Sequence, residues 1–589
     1  MRFQSLVAAL SLGSAALALH AQFPVNIAGE TGGRPLDIVK LTAGNVSPYS
    51  SSSIAEQWRF NEGPPENATG NLIFDTVNSF LQHWPNTRYR NGHNIVPGVI
   101  PIGTLLYHGT SRNTIPSEPD WIATDPEHSI LFARHGARDG GGWLLTLAAT
   151  RPLKVLYFDG SSAAKVMDGT MDVQFIVAWG DSIPERAGDR EVIKVLCAWG
   201  KKFGIDGFAR MEMDFEVMLC DFTAGVEVVS FLHIVVPQED RRDPLPDSDV
   251  SIRSFEVMHA GSWHNRYPGD SRIVLDLTGL ISLYDPALAP SLVPVRAGLE
   301  RWDHRVLGIS SEDISRVMRK LTEVVSRPDT AGSGIDWKTL FHVIVDRYAD
   351  RLELMQHILN VTSSDSQELL QQAKLAQAQL RVMLTPYLLR STIVPSPGTS
   401  NADASQWAFP MFKHCATTHT SAIANRMPFM TSSEHLLLKA VEDTTREICR
   451  VTTKMWADGV ARGLDTLFPV EIDGEPEVTQ LMEGWRQDIH KLMSWLDWSV
   501  WIKCRPACGP EEICFLPTWP YNAPGPRHPP PRNPRNTTDA PEGDYLANRV
   551  KPPPEGQAIA DALFYLGTPA EDWRKPQPKC IRRLQPYGF

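Results

Sequence analysis

Three carboxylates within nine residues are the first place where this chain offers chemistry. Residues 211–219 read MEMDFEVML. Met211, Met213, Phe215, Val217 and Leu219 occupy one set of alternating positions, and Glu212, Asp214 and Glu216 the other. Side chains two apart on a strand share a face, so the pattern predicts one strand bearing a row of acids. Such a row repels itself, and partial desolvation raises at least one pKa. Beyond Glu216 the polar face becomes Met218 and Cys220, which puts Glu216 where an open edge runs into the core. A carboxylate there is oriented and partly shielded. The competing reading is a half-exposed antiparallel strand with a solvated acidic face.

The elements that would hold a ligand against Glu216 lie in residues 105–133. Leu105, Leu106 and Tyr107 predict a short strand that delivers His108 and ends at Gly109. A second short strand, 120–124, carries Trp121. Asp125 is a predicted N-cap with Pro126 in the first helical position, and Ser129, Ile130, Phe132 and Ala133 continue the helix. Further strands are predicted at 143–148 and 154–158. Together these pieces suggest a dinucleotide pocket into which His108, Trp121 and Glu216 point.

The arrangement resembles the ADP-ribosyltransferase fold, in particular the branch whose catalytic His, Tyr and Glu stand on three separate strands. The first motif of that family reads here Tyr107-His108-Gly109-Thr110. The second reads Trp121-Ile122-Ala123, with Ser129 on the helix behind it, and the third reads Glu216-Val217-Met218-Leu219. Trp121 stands where the family usually has Tyr. The resemblance implies a split-sheet α+β domain that uses NAD. His108 would bond a ribose hydroxyl, Gly109 would let the nicotinamide amide approach the backbone, Trp121 would stack on the nicotinamide ring, and Ser129 would line the site. Glu216 would hold the ribose 2′-hydroxyl and stabilise the cation that forms as nicotinamide leaves. Asp214 or Glu212 would position the acceptor, a protein or water. The same His-Gly-Thr strand occurs in RNA 2′-phosphotransferases, but a net charge of −11 argues against nucleic acid as a partner. The alternative function is a catalytically inactive binding or structural module on the same fold.

Residues 1–21 read as a secretory signal: Arg2, an apolar core over 6–19, and Leu19-His20-Ala21 before the cleavage point. No later run reaches the roughly 18 apolar residues of a membrane helix, so no stable membrane insertion is expected. Eight cysteines in an exported chain predict disulfides, and Asn45, Asn67, Asn360 and Asn536 stand in glycan-acceptor sequons. The texture also resembles secreted proteins of filamentous fungi, which implies export and no particular activity.

The predicted organisation is a lead-in at 22–95, the α+β domain at 96–300, a helical domain at 301–503 and a Cys/Pro-rich region at 504–589. Residues 303–325, 337–359, 364–389, 433–464 and 475–503 carry apolar residues at helical spacing. A strand is predicted at 272–280. A loop at 258–270 should pack Trp263 and Tyr267; its His259 and His264 lack a third metal ligand by spacing. Cys504, Cys508 and Cys514 are expected in disulfides, one reaching Cys580. Residues 396–405 read as a linker and 517–554 as an extended Pro-rich stretch.

Overall fold

Short strands and turns are predicted over 96–300, and residues 94–282 contribute the strands of a ten-stranded mixed sheet. A computed structural model describes residues 58–134, 142–164, 169–184, 188–235, 256–328, 331–361, 363–392, 394, 405–470, 478–518 and 575–584. The predicted signal and the sequons at Asn45 and Asn536 lie outside the described residues. So, but for their end residues, do the 396–405 linker and the Pro-rich 517–554 stretch. Asn67 and Asn360 are exposed.

The strands that matter for the site are β2 (Leu105–Thr110), β3 (Asp120–Ala123), β4 (Gly142–Ala149), β6 (Gly207–Met211) and β7 (Phe215–Leu219). With β1 (Asn94–Ile100), β5 (Leu153–Phe158), β8 (Val226–Val235) and β10 (Ile281–Ser282) they run in the order β10-β1-β5-β6-β7-β3-β2-β4-β8. The predicted strand at 272–280 shrinks to β9 (Val274–Leu275), which pairs with β1. β5 and β6 are parallel, and a parallel step needs a crossover. The helices Asp172–Trp179 and Asp189–Gly200 supply it, and Phe175, Ile193 and Leu196 bury against Leu156, Phe208 and Met218. The fold class is α+β.

Helical spacing locates the rest well: helices run Ser311–Ser326, Trp337–Leu359, Ser366–Leu384, Ser432–Ala461 and Thr479–Leu496. Ser432–Ala461 starts with a capping box between Thr431 and Glu434. Buried Glu434 also accepts from the Ser333 backbone N and from Trp337 Nε1. Thr431→Ala is therefore expected to remove about 1 kcal/mol of stability, read as a lower urea midpoint. A helix that spacing did not reveal, Phe409–Thr417, starts on a proline in its first turn and is tied to Ser432–Ala461 by the Cys415–Cys449 disulfide.

The expected boundaries at 95, 300 and 503 do not coincide with compact units, because Trp58 onward forms one unit. The helix Gly70–Ser79, inside the supposed lead-in, lies among the bundle helices. Phe74 stacks between Phe341 (4.7 Å between centroids) and Trp498 (5.7 Å). Buried Asp75 accepts from Arg301 Nη1 at 2.9 Å and from the Ser499 backbone N at 2.8 Å. One short helix thus ties residue 301 to residue 499.

All eight cysteines form disulfides: Cys197–Cys220, Cys415–Cys449, Cys504–Cys514 and Cys508–Cys580. Cys504–Cys514 ties residue 504 to β11 (Glu512–Phe515), Cys508–Cys580 ties residue 508 to β12 (Lys579–Arg582), and the two strands pair antiparallel. The loop predicted at 258–270 is in part helical, with α-helix through residue 262 and a 3-10 turn at Trp263–Asn265. Tyr267 stacks on His342 with centroids 3.7 Å apart, but Trp263 is 72% exposed, beside the His259 ring. Among the described residues no helix is long and apolar enough to cross a membrane.

Candidate active site

β2 pairs with β4 along its whole length, yet it meets β3 at one position only, Tyr107 opposite Ala123. Past that pair the two strands part, and a cleft of about 290 Å³ opens between them. His108, Gly109 and Ser129 line one side, Trp121 the other, and Glu212 and Glu216 the floor strands beyond. Six of the seven residues singled out in the sequence converge there. Asp214 does not.

The reason is a turn that alternation concealed. Residues 211–219 are not one strand: Met211 ends β6, Phe215 starts β7, and the two are cross-strand partners. The Glu212 backbone N donates to Asp214 O at 3.0 Å, and Phe215 N donates to the Asp214 side chain at 2.8 Å. The three acids therefore diverge instead of forming a row. Glu216 stands opposite Arg210 on β6 and opposite Ala123 on β3. Glu212 turns to His128, whose Nε2 lies 2.5 Å from its Oε2. Asp214 is fully buried and faces Asp125; burial, then the Asp125 charge, pushes its carboxyl well above the usual range. Asp214, expected to position an acceptor, is thus not among the residues that line the cleft. Asp125 occupies the N-cap position of Pro126–Ile130 but makes no side-chain cap bond. Its carboxylate goes to Arg272 instead, at 2.9 and 2.7 Å.

Glu216 is the electrostatic centre of the cleft. Its side chain is 5% exposed, and Oε1 accepts from Arg210 Nε at 2.7 Å. Burial raises its pKa to about 7, and the Arg210 charge pulls the other way without restoring the ordinary value. Arg210 is itself buried. It donates through Nη1 and Nη2 to both Asp189 oxygens, at 3.0 and 3.1 Å, and through Nη1 to Gln174 Oε1 at 3.1 Å. Burial opposes its charge, but Asp189 and Glu216 more than offset that and hold it protonated. Asp189 opens the crossover helix Asp189–Gly200, which the Cys197–Cys220 disulfide clips to the end of β7. The helix and the strand that flank Glu216 are covalently joined.

On the opposite wall, His108 Nδ1 lies 2.7 Å from Trp121 O. A carbonyl only accepts, so Nδ1 carries the hydrogen and Nε2 is left as an acceptor. Burial lowers the His108 pKa and favours this neutral form. The Arg190 guanidinium sits over the Trp121 ring, 5.2 Å from its centroid. That face attracts cations, and Arg190, at 68% side-chain exposure, also lies 3.7 Å from Asp120 Oδ2. Ser129 Oγ donates to Tyr107 O at 2.5 Å, so its hydroxyl first serves to pin the helix to β2.

Gly109 has a reason that the sequence did not disclose. A Cβ there would lie 1.8 Å from Ser129 O and 3.1 Å from Ala133 N. The missing side chain lets the helix close the back of the cleft. Gly109→Ala is expected to cost about 2 kcal/mol through forced backbone movement and to weaken ligand binding, measured by urea unfolding and calorimetric titration. Sequence reasoning also missed Arg210, Asp189 and Arg190. An arginine inside the apolar run of Gly207–Met211 is the available signal, since a buried guanidinium requires a buried acid.

An α+β protein with a buried Arg–Glu pair in a cleft between β2 and β3 is the class that fold and site define. A family model described as the YPL277C N-terminal domain matches residues 65–143 and 137–248, a span that holds the whole cleft. The chain is similar to the uncharacterized protein YOR389W of Saccharomyces cerevisiae, 25% identical over 546 residues that cover 76% of this chain and 81% of that protein. It is also similar to the uncharacterized protein YPL277C of the same yeast, 28% identical over 379 residues that cover 49% of this chain and 75% of that protein. No solved structure matches it.

Proposed function

We propose that the chain is an exported ADP-ribosyltransferase-like enzyme that cleaves NAD and passes ADP-ribose to a protein or to water. The observation that carries the reading is the meeting of His108, Trp121 and Glu216 in one cleft where β2 and β3 part. Each then has a chemical task. His108 Nε2 accepts from a ribose hydroxyl, and the Trp121 face receives the cationic nicotinamide ring where Arg190 now sits. Glu216 keeps Oε1 on Arg210 and offers its other oxygen to the ribose 2′-hydroxyl, next to the positive charge that grows as nicotinamide leaves. A cleft of this volume takes the nicotinamide–ribose end and leaves the adenylate end outside. Four disulfides support the export part of the reading.

A second reading, a binding module without catalysis, is favoured by the Arg210 guanidinium that already occupies one oxygen of Glu216. Nicotinamide release from NAD by the purified protein, beside Glu216→Gln, separates the two. Release that drops about 100-fold or more in the variant supports catalysis. No release and no NAD binding by well-folded native protein leaves the module.

A further inference from the structure

Arg296 is a buried guanidinium that no acid answers. Arg88, Arg210 and Arg296 are each 9% exposed or less. Arg88 meets Asp497 at 2.9 Å, and Arg210 meets Glu216 and Asp189. Arg296, the last residue of the helix Leu292–Arg296, meets no carboxylate among the described residues. Its Nη1 donates to Leu283 O at 2.9 Å, and its Cζ lies 4.6 Å from the centroid of the Tyr284 ring. A carbonyl and a ring face attract a cation, but neither cancels its charge. Its other two nitrogens, Nε and Nη2, are buried and have no hydrogen-bond partner. We propose that Nε and Nη2 of Arg296 bind a phosphate-type oxyanion, which serves as the counter-ion of this guanidinium.

Geometry and charge select the ligand. The Nε and Nη2 hydrogens point in parallel from one edge of the guanidinium, and that fork matches two oxygens of a single oxyanion. Burial lowers the Arg296 pKa, with Tyr284 opposing. The His93 and His304 rings flank the same tyrosine, with centroids 4.4 and 5.9 Å from its own. Burial first, and the Arg296 charge next, lower the pKa of both histidines, so these groups that feel the charge are themselves basic. An anion on the free edge satisfies two buried donors and compensates the ion at once. Pro294, Val295 and residues 297–300 are exposed, so the edge lies close to the surface and an ion need not cross the core. None of these residues lines the cleft between β2 and β3, and the site stands whether or not NAD is cleaved.

The test uses the full chain, dialysed free of phosphate, and calorimetric titration with inorganic phosphate. Native protein is expected to bind one phosphate. Arg296→Lys keeps the charge but loses the fork, and should bind about tenfold or more weakly. Arg296→Met should not bind. In phosphate-free buffer Arg296→Met should melt no lower than native protein, because a hydrophobe then replaces an uncompensated buried ion. Glycerol phosphate, titrated in parallel, separates two sources of the anion. Its binding marks a phosphate group carried on a larger molecule, and binding of inorganic phosphate alone marks a free ion; either result supports the site if Arg296→Met abolishes it. No binding of either compound by native protein would overturn the proposal, as would binding that survives in Arg296→Met. A melting temperature for Arg296→Met far below that of native protein without phosphate would overturn it too, since the chain itself would then satisfy the guanidinium.

Discussion

Arg210→Met is expected to destabilise the protein by about 3–5 kcal/mol, the scale for removing one partner of a buried ion pair. The guanidinium makes four hydrogen bonds, to Glu216, to both Asp189 oxygens and to Gln174. Methionine fills much of the space and supplies none of them. Glu216 then loses its hydrogen-bonded counter-ion in a site where its side chain is 5% exposed, and it takes up a proton more readily. The loss should therefore be larger at pH 8 than at pH 5.5, where Glu216 is already protonated. Arg210→Lys should recover little, since one ammonium cannot reach three partners in the fork geometry of arginine. Adding Glu216→Gln to Arg210→Met should return part of the loss at pH 8. Urea unfolding of the four proteins closes a double-mutant cycle that isolates the pair.

The second large effect is on the pH profile of nicotinamide release. Glu216 must be ionised to stabilise a cation, and its pKa lies near 7. Release should therefore rise close to tenfold per pH unit below about 7 and level off above it. Glu216→Gln should show a flat, low rate across the range. Stability runs the other way. A carboxyl whose folded pKa exceeds its unfolded value contributes stability that is fully present below about 4.5 and lost as pH rises through about 7. A raise from 4.5 to about 7 corresponds to about 3 kcal/mol. Burial also raises Asp159, to about 6, so wild-type melting curves alone mix several groups. The difference between wild type and Glu216→Gln isolates the one that matters. A rate that is level from pH 5 to pH 8 would contradict Glu216 as the charged centre.

How much of this was legible in the sequence depends on which interactions are local. Trp337–Leu359 follows from apolar spacing alone, and Asp120–Ala123 from a short strand pattern before a Pro-led helix. The His108–Trp121–Glu216 grouping came from motif order. The β6–β7 hairpin did not emerge, because Glu212-Met213-Asp214 lacks the Gly, Pro or Asn that usually marks a turn. An alternation of period two continues through a tight turn without a break, so acids that diverge in space looked like neighbours. Arg210 was hidden by the same error, since its partnership with Glu216 exists only across that hairpin. The Asp125 carboxylate was read as a cap because Arg272, which captures it, is 147 residues away.

The helix Gly70–Ser79 bears on how this molecule comes apart. Since Phe74 lies between Phe341 and Trp498, and Asp75 answers both Arg301 and Ser499, the helical half does not keep its interior without ten residues that precede it. A chain cut at residue 96 would take the Asp75 carboxylate from Arg301, leaving it Asp497, and would bare two aromatic faces. The protein should then melt in a single cooperative transition, and during synthesis the helix Gly70–Ser79 stays incompletely partnered until residue 499 has been made.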